Sequence, residues 1–355
     1  MALDKTKLKR DLGISLFIYS LPVLAIYLYF KLNNGVVAES QLTLPSYLEF
    51  LQPVFTNIRS WGLIAFSIVL GIVEFTAGLY DEHWTGRERK VDIICFLAPK
   101  LLLPPVTAYF SLTVLPHLIP GLANSLSWVP FWGGFFLIAI ADDLTQYWYH
   151  RLHHQVPFLW RFHRTHHSAP YMGMAMASRQ NFLYTVFFSQ IYLTATLTYL
   201  GLGVPALFVL VVKSFITLGA HSSLAWDKPF YKYKVLHPIA WVLERLISTP
   251  ATHHAHHADT SGDGVGHFKG NFGNMFFLWD VIFGTGLITR KFPKSYGTKS
   301  YKSEEWYAQF LWPIFKSKIE GSPLADGVLA LPITQKKETT SINPEYLNPV
   351  ESKIA

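Results

Sequence analysis

Residues 12–30 carry no charged side chain. As a helix this run measures about 28 Å, close to the ~30 Å hydrocarbon core of a bilayer. The chain has further predominantly apolar runs, each with only one or two charged residues, at 61–80, 91–115, 127–148 and 182–220. Charged residues make up only 15% of the sequence, against about 25% in an ordinary soluble chain. These features predict an all-α, multi-span helical integral membrane protein. Lys100 and the pair Pro104–Pro105 in the third run predict a bent span, because neighbouring helices can satisfy the freed backbone groups. Region 182–220 is interrupted around Gly201, Gly203 and Pro205, so it makes two crossings or a hairpin dipping partway. In both cases the chain returns to the side it left. No small-residue cleavage site follows the first run, which argues against a signal peptide.

The formal charge of +7 matters less than its placement. Lysines and arginines sit between the apolar runs, with no basic stretch interleaved with aromatics, which fits membrane topology and excludes nucleic acid as a partner. Lys5, Lys7, Lys9 and Arg10 precede the first span, Arg87, Arg89 and Lys90 separate the second from the third, and the loop 116–125 has no lysine or arginine. The N-terminus is therefore expected in the cytoplasm, with the fourth span returning the chain there near Gln146. The single cysteine, Cys95, excludes a disulfide framework and a cysteine-built zinc or iron–sulfur site. Three regions follow: transmembrane helices over 1–125, a histidine-rich catalytic region over 126–290, and a polar, partly disordered tail over 291–355 with a short amphipathic piece at 304–315.

Fifteen histidines crowd mostly into three short stretches. The first holds His150, His153 and His154. Positions four apart on a helix lie on one face with Cβ atoms ~6 Å apart, which suits two ligands of one metal. Extending that face backward adds Asp143 and Tyr147, whereas His153 points elsewhere and is not expected to be a ligand. The second stretch holds His163, His166 and His167, and the third His253, His254, His256 and His257. Each allows two or three imidazoles to converge from one turn. Thr249 before Pro250 is a helix cap with proline at the first position, and Gly262, Gly264 and Gly266 end that helix. His221 is a ninth candidate, while the isolated His83, His117, His237 and His267 are read as structural.

So many clustered imidazoles would repel one another when protonated and leave donors unused when neutral, so a metal centre is the simplest explanation. Imidazole suits iron, zinc, copper and nickel alike, but eight or nine ligands exceed the three or four that one zinc takes and point to two metals. A site at the end of membrane helices can take an apolar substrate from the bilayer, and attack on an unactivated C–H bond requires oxygen activated by a redox metal. The combination favours a lipid oxygenase. Two other classes compete: a metal transporter, whose histidines should line the spans, and a structural zinc protein.

Asp143 with Tyr147-Trp-Tyr-His-Arg-Leu-His-His154, then Trp160-Arg-Phe-His-Arg-Thr-His-His-Ser168, His221-Ser222, Thr249-Pro-Ala-Thr-His-His-Ala-His-His257, Asn271-Phe-Gly-Asn and Trp279-Asp280-Val-Ile-Phe-Gly-Thr285 together resemble the fatty acid hydroxylase and sterol desaturase superfamily of membrane di-iron enzymes. The likeness runs from about 135 to 285. It implies two iron ions, replaceable by zinc in a purified protein, held by His150, His154, His163, His166, His167, His221, His253, His256 and His257, with O2 as co-substrate. It also implies a helical stalk under a cytosolic histidine-rich cap, in the ER or bacterial inner membrane.

The implied reaction is hydroxylation of a fatty acyl, sterol or related lipid, with desaturation of the C-5 sterol desaturase type as the alternative. The chain carries no haem or flavin motif, so electrons are expected from a separate donor of the cytochrome b5, ferredoxin or reductase type. A basic rim of Arg87, Arg89, Lys90, Arg161 and Arg164 is expected to dock it. Arg179-Gln180 resembles the segment after the second histidine stretch in the branch that includes alkylglycerol monooxygenase. Asp143, with Tyr147 on its stripe, is expected to fix the tautomer of a ligand histidine. Asp280 with Trp279 is expected to form a structural corner, and Asn271 and Asn274 to line the pocket or serve turns. Glu74, costly in lipid, is expected to snorkel or to pair with an arginine.

Overall fold

The computed structural model describes residues 84–298 and 304–325. The expected spans at 12–30 and 61–80, with Glu74 and His83, lie outside the described residues, as does everything after 325.

Eight helices position the site: α1 Gly86–Tyr109, α2 Phe131–Gln155, α3 Pro157–His167, α4 Ser189–Leu197, α5 Gly203–His221, α6 His237–Leu246, α7 Pro250–His256 and α8 Trp306–Leu311. Among the described residues there is no strand, only an isolated bridge between Ala258 and Tyr296. The third expected span is α1, prolonged by a π-helical turn, Phe110–Val114. The fourth is α2, which runs past 148 to carry the first histidines on its last turns.

The interrupted region is a helical hairpin. Gly201 has φ +106°, a left-handed conformation that costs glycine little. The backbone of Ser127 and Asn124 lies 3.0–3.2 Å from where a side chain would start. The segment before α2 closes this end, with Asn124 and Leu126 donating backbone N–H groups to Tyr199 and Leu200. The hairpin therefore turns at the end of the bundle remote from the histidines, and α5 returns to place His221 among them. Gly134 of α2 abuts Pro205 and Leu202, and Ile138, Ala139, Leu202, Ala206, Val209 and Met275 form the core between α2, α5 and the cap.

Local sequence chemistry sets the remaining joints. Val156 is extended (φ −98°, ψ 117°), as expected of a residue preceding proline, and Pro157 then opens α3 at a new angle. Thr249 and Thr252 form a reciprocal capping box around Pro250 at the start of α7, as expected. Residues 304–325 pack onto this body, and α8 lies within the amphipathic piece expected at 304–315. Phe310 of α8 packs on Val91 and Cys95 of α1, and Glu304 forms a buried ion pair with Arg164 at 2.6 Å. Residues 304–325 thus belong to the body of the fold, and α1 is bound to the catalytic region by Arg179, which reaches Glu88.

Candidate metal centre

The structure brings the nine candidate histidines together in two groups. His150, His154, His163, His167 and His256 form the first, and His166, His221, His253 and His257 the second; in each group the ligand atoms lie within 4.8 Å of one another. Helix periodicity explains the split. His163 and His167 share one face of α3 while His166 turns to the next, and His253 and His257 are likewise separated from His256. The groups touch, since the rings of His167 and His257 stack with centroids 4.3 Å apart. All nine are buried.

The outer nitrogens set the direction of the inner ones. His150 and His256 donate Nδ1–H to the carbonyls of Phe272 and Gly270, each at 2.7 Å. A neutral imidazole held this way leaves its Nε2 as an acceptor. Yet these two Nε2 atoms face each other at 3.1 Å. Two acceptors at that separation repel, and a cation between them makes the arrangement favourable. In the second group His221 donates Nδ1–H to the Thr217 carbonyl at 2.7 Å. Its Nε2 lies 2.9 Å from that of His253 and 3.2 Å from that of His166. The donor set fits two metal ions, one per group.

His153 and His254 are buried but outside both groups. His153 Nδ1–H donates to the Tyr149 carbonyl at 2.8 Å, as expected for a non-ligand. His254 donates from Nε2 to the Ser222 carbonyl, so its Nδ1 accepts from the Tyr296 hydroxyl, and both nitrogens are used. His237 and His267 bond the carbonyls of Tyr231 and Thr285 in structural roles.

Three expectations require correction, those for Asp143, Tyr147 and Arg164. Asp143 touches no imidazole. It lies seven residues before His150, roughly 10 Å along the helix, and accepts instead from Met275 N, Phe276 N and the Trp279 indole at 2.8–3.2 Å. It anchors the cap segment to α2. Tyr147 also leaves the ligands alone, because the Phe272 carbonyl already occupies His150 Nδ1; its hydroxyl meets Thr285 Oγ1 at 2.8 Å and accepts from Arg151.

Asp280 is the expected structural corner. It accepts from Phe272 N (2.9 Å), Gly273 N (2.6 Å) and Thr285 Oγ1 (2.6 Å). Asn271, at φ +55°, ties the Thr252 carbonyl to Leu287 rather than facing the metals. Arg164 also drops out of the expected basic rim, being buried against Glu304; Arg87, Arg89 and Lys90 are exposed. Sequence reasoning missed the carbonyls of Gly270, Phe272 and Thr217, which orient ligands without any side-chain signature. It also missed Gln180, whose Oε1 accepts from His163 Nδ1 at 3.3 Å, although the Arg179-Gln180 pair had stood out. A cleft lined by Trp160, Phe268, Lys269 and Thr298 reaches His154 and His167 of the first group.

Burial holds the imidazoles neutral. It lowers His150 to about 4, against the opposing effect of its carbonyl bond. It depresses His154, His163, His166, His167, His253, His256 and His257 well below the ordinary range, with repulsion from neighbouring imidazoles adding to it. An unfolded chain takes up these protons near pH 6.5, so below that value protonation favours unfolding. The stability of the metal-free protein is fully present above about pH 6.5 and declines as pH falls toward about 4. Its melting temperature is therefore expected to fall steadily between pH 7 and pH 5, and a flat profile would contradict neutral burial.

The described helices thus end in two buried, all-imidazole groups, each able to hold a metal ion. Residues 135–285 match the fatty acid hydroxylase family, and this part of the chain is a fatty acid hydroxylase domain of the fatty acid hydroxylase and sterol desaturase superfamily. Human cholesterol 25-hydroxylase is 25% identical over 279 residues, an overlap covering 70% of this chain and 94% of that relative. No solved structure matches the chain significantly. By this family relationship the chain is an oxidoreductase of the hydroxylase type.

Proposed function

We propose that the protein is a multi-pass membrane di-iron hydroxylase that inserts oxygen from O2 into a C–H bond of a lipid. The observation that carries this reading is the pair of buried imidazole groups, nine ligands in all, inside a fatty acid hydroxylase domain. His150, His154, His163, His167 and His256 would hold one ion, and His166, His221, His253 and His257 the other. When bound, the pair of redox ions supplies the activation of O2 that breaking an unactivated C–H bond demands.

The chain's own residues supply the setting. Phe272, Gly270 and Thr217 aim three imidazoles through their carbonyls, and Gln180 aims a fourth. Burial keeps these imidazoles neutral. The histidines act as ligands, not as general bases, since their lone pairs converge on one another.

The surface supports a membrane setting. Trp132, Phe136, Leu137, Ile140 and Trp148 on α2, and Ile93, Leu97 and Leu102 on α1, are exposed. Trp132 and Trp148 stand roughly 24 Å apart along the helix, consistent with aromatic anchoring at two interfaces. Phe182–His221 is apolar and long enough to cross a membrane, divided by the turn at Gly201. On this reading the metal groups lie beneath the cytoplasmic leaflet, where a lipid would reach them from the bilayer. Arg87, Arg89 and Lys90 on that side offer a separate, acidic electron donor a docking surface.

The test is comparative lipidomics under 18-O2 of cells expressing the native chain or His166→Ala, at matched expression and with donor supplied. The native chain is expected to yield a lipid carrying one labelled oxygen, and the variant none. Loss of two hydrogens without oxygen would assign desaturation, and indistinguishable profiles would overturn the enzyme reading.

A further inference from the structure

Below the metal groups, Asp142 fixes how α2, α4 and α5 align. It pairs with Lys213 of α5 and accepts from Thr194 Oγ1 of α4 at 3.1 Å. α2 and α5 run toward the metal groups and α4 runs away from them. One helical turn nearer the centre therefore brings Gln146 of α2, Thr217 of α5 and Gln190 of α4 to a common level. One further turn on α2 and α5 reaches His150 and His221.

This level is short of hydrogen bonds. Among the described residues, Gln146 Oε1, both polar atoms of the Gln190 amide and Thr217 Oγ1 are buried without a partner. Gln146 is only 4% exposed and Gln190 only 3%. The threonine is unusual for its setting. Thr145, Thr196 and Ser214, on the same three helices or their continuations, each donate to the carbonyl four residues earlier at 2.7 Å, while the Thr217 hydroxyl does not. Orphaned polar atoms from three helices at one level are unfavourable unless something else completes them.

We infer that Gln146, Gln190 and Thr217 form a hydrogen-bonding subsite for a hydroxyl or carbonyl oxygen of the lipid substrate. The C–H bond attacked then lies about one helical turn, ~5–6 Å, from that oxygen. An amide presents both a donor and an acceptor, which suits a hydroxyl. The three side chains carry no charge, and Lys213 neutralises Asp142 beneath them, so a neutral oxygen function fits where a carboxylate or phosphate would not. The substrate class is accordingly a lipid oxidised within a few carbon–carbon bonds of an existing oxygen. This inference rests on the lipid hydroxylase reading above and narrows it.

The test uses binding without turnover. The full chain in lipid nanodiscs, loaded with redox-inactive zinc, is photolabelled with a diazirine-bearing long-chain alcohol and with the matching alkane. The native chain is expected to capture the alcohol preferentially, on peptides of α2, α4 and α5. Gln190→Leu should lower alcohol capture about five- to tenfold and leave alkane capture unchanged. Thr217→Val, nearly isosteric, gives the same comparison should the leucine variant fail to fold, with bound zinc and melting temperature as controls. Equal capture of the two probes by the native chain overturns the subsite, as does a loss in the variants common to both probes. Unchanged capture in both variants also overturns it, assigning the layer to ordered water alone. Alcohol discrimination without oxygen transfer in the lipidomic test would leave the subsite standing and remove the hydroxylase reading; oxygen transfer without discrimination would do the reverse.

Discussion

Stripping the metal from the purified protein with a chelator is expected to lower its melting temperature by roughly 15–30 °C. The two histidine groups explain so large a change. An ion present at about a thousand times its dissociation constant stabilises the folded state by ~4 kcal/mol, hence two ions by ~8 kcal/mol. Each kcal/mol moves the midpoint of a chain of this class by about 2–4 °C. Removing the ions also leaves the facing acceptors of His150 and His256, at 3.1 Å, with nothing between them. Differential scanning fluorimetry before and after chelation, with restoration by added iron or zinc, checks the result. A change under about 3 °C would exclude a metal that holds the fold together. His150→Ala and His253→Ala should each lose one ion of the two by elemental analysis, because they fall in different groups.

The convergence of these histidines was largely legible in the sequence because it is written in local periodicity. Histidines at four-residue spacing can only share a helix face, and the Thr249–Pro250 cap is a short-range signal of the same kind. The placement of α1 and α8 was not legible. It depends on pairs such as Arg164 with Glu304 and Arg179 with Glu88, separated by 140 and 91 positions, and neither partner announces the other. Asp143 shows how a correct pattern yields a wrong role. It does share the stripe with His150, but distance along the axis hands it to the cap segment 275–276 instead. The carbonyls of Gly270 and Phe272 lie at the opposite extreme: they orient imidazoles of the first group, yet a backbone oxygen leaves no mark on a sequence.

That backbone dependence makes Asp280 the residue outside the ligand set with the largest expected effect. Its buried carboxylate takes the N–H groups of Phe272 and Gly273 and the Thr285 hydroxyl, and so fixes the peptide whose Phe272 carbonyl aims His150. Asp280→Ala leaves two buried N–H donors unsatisfied, at about 1–3 kcal/mol each, for a total near 3–5 kcal/mol with the lost hydroxyl bond. Freed of its carbonyl, His150 loses tautomer and direction, and loss of such an orienting contact weakens metal binding about 10- to 100-fold. The ion of the first group should therefore weaken while that of the second, whose ligands Asp280 does not orient, stays near native affinity. Asp280→Asn, which keeps one acceptor, should fall between. Competitive metal titration of the two sites is the measurement. Equal weakening at both would mean that Asp280 supports only the fold, whereas a selective loss ties a residue with no contact to the metal to the aim of a single imidazole.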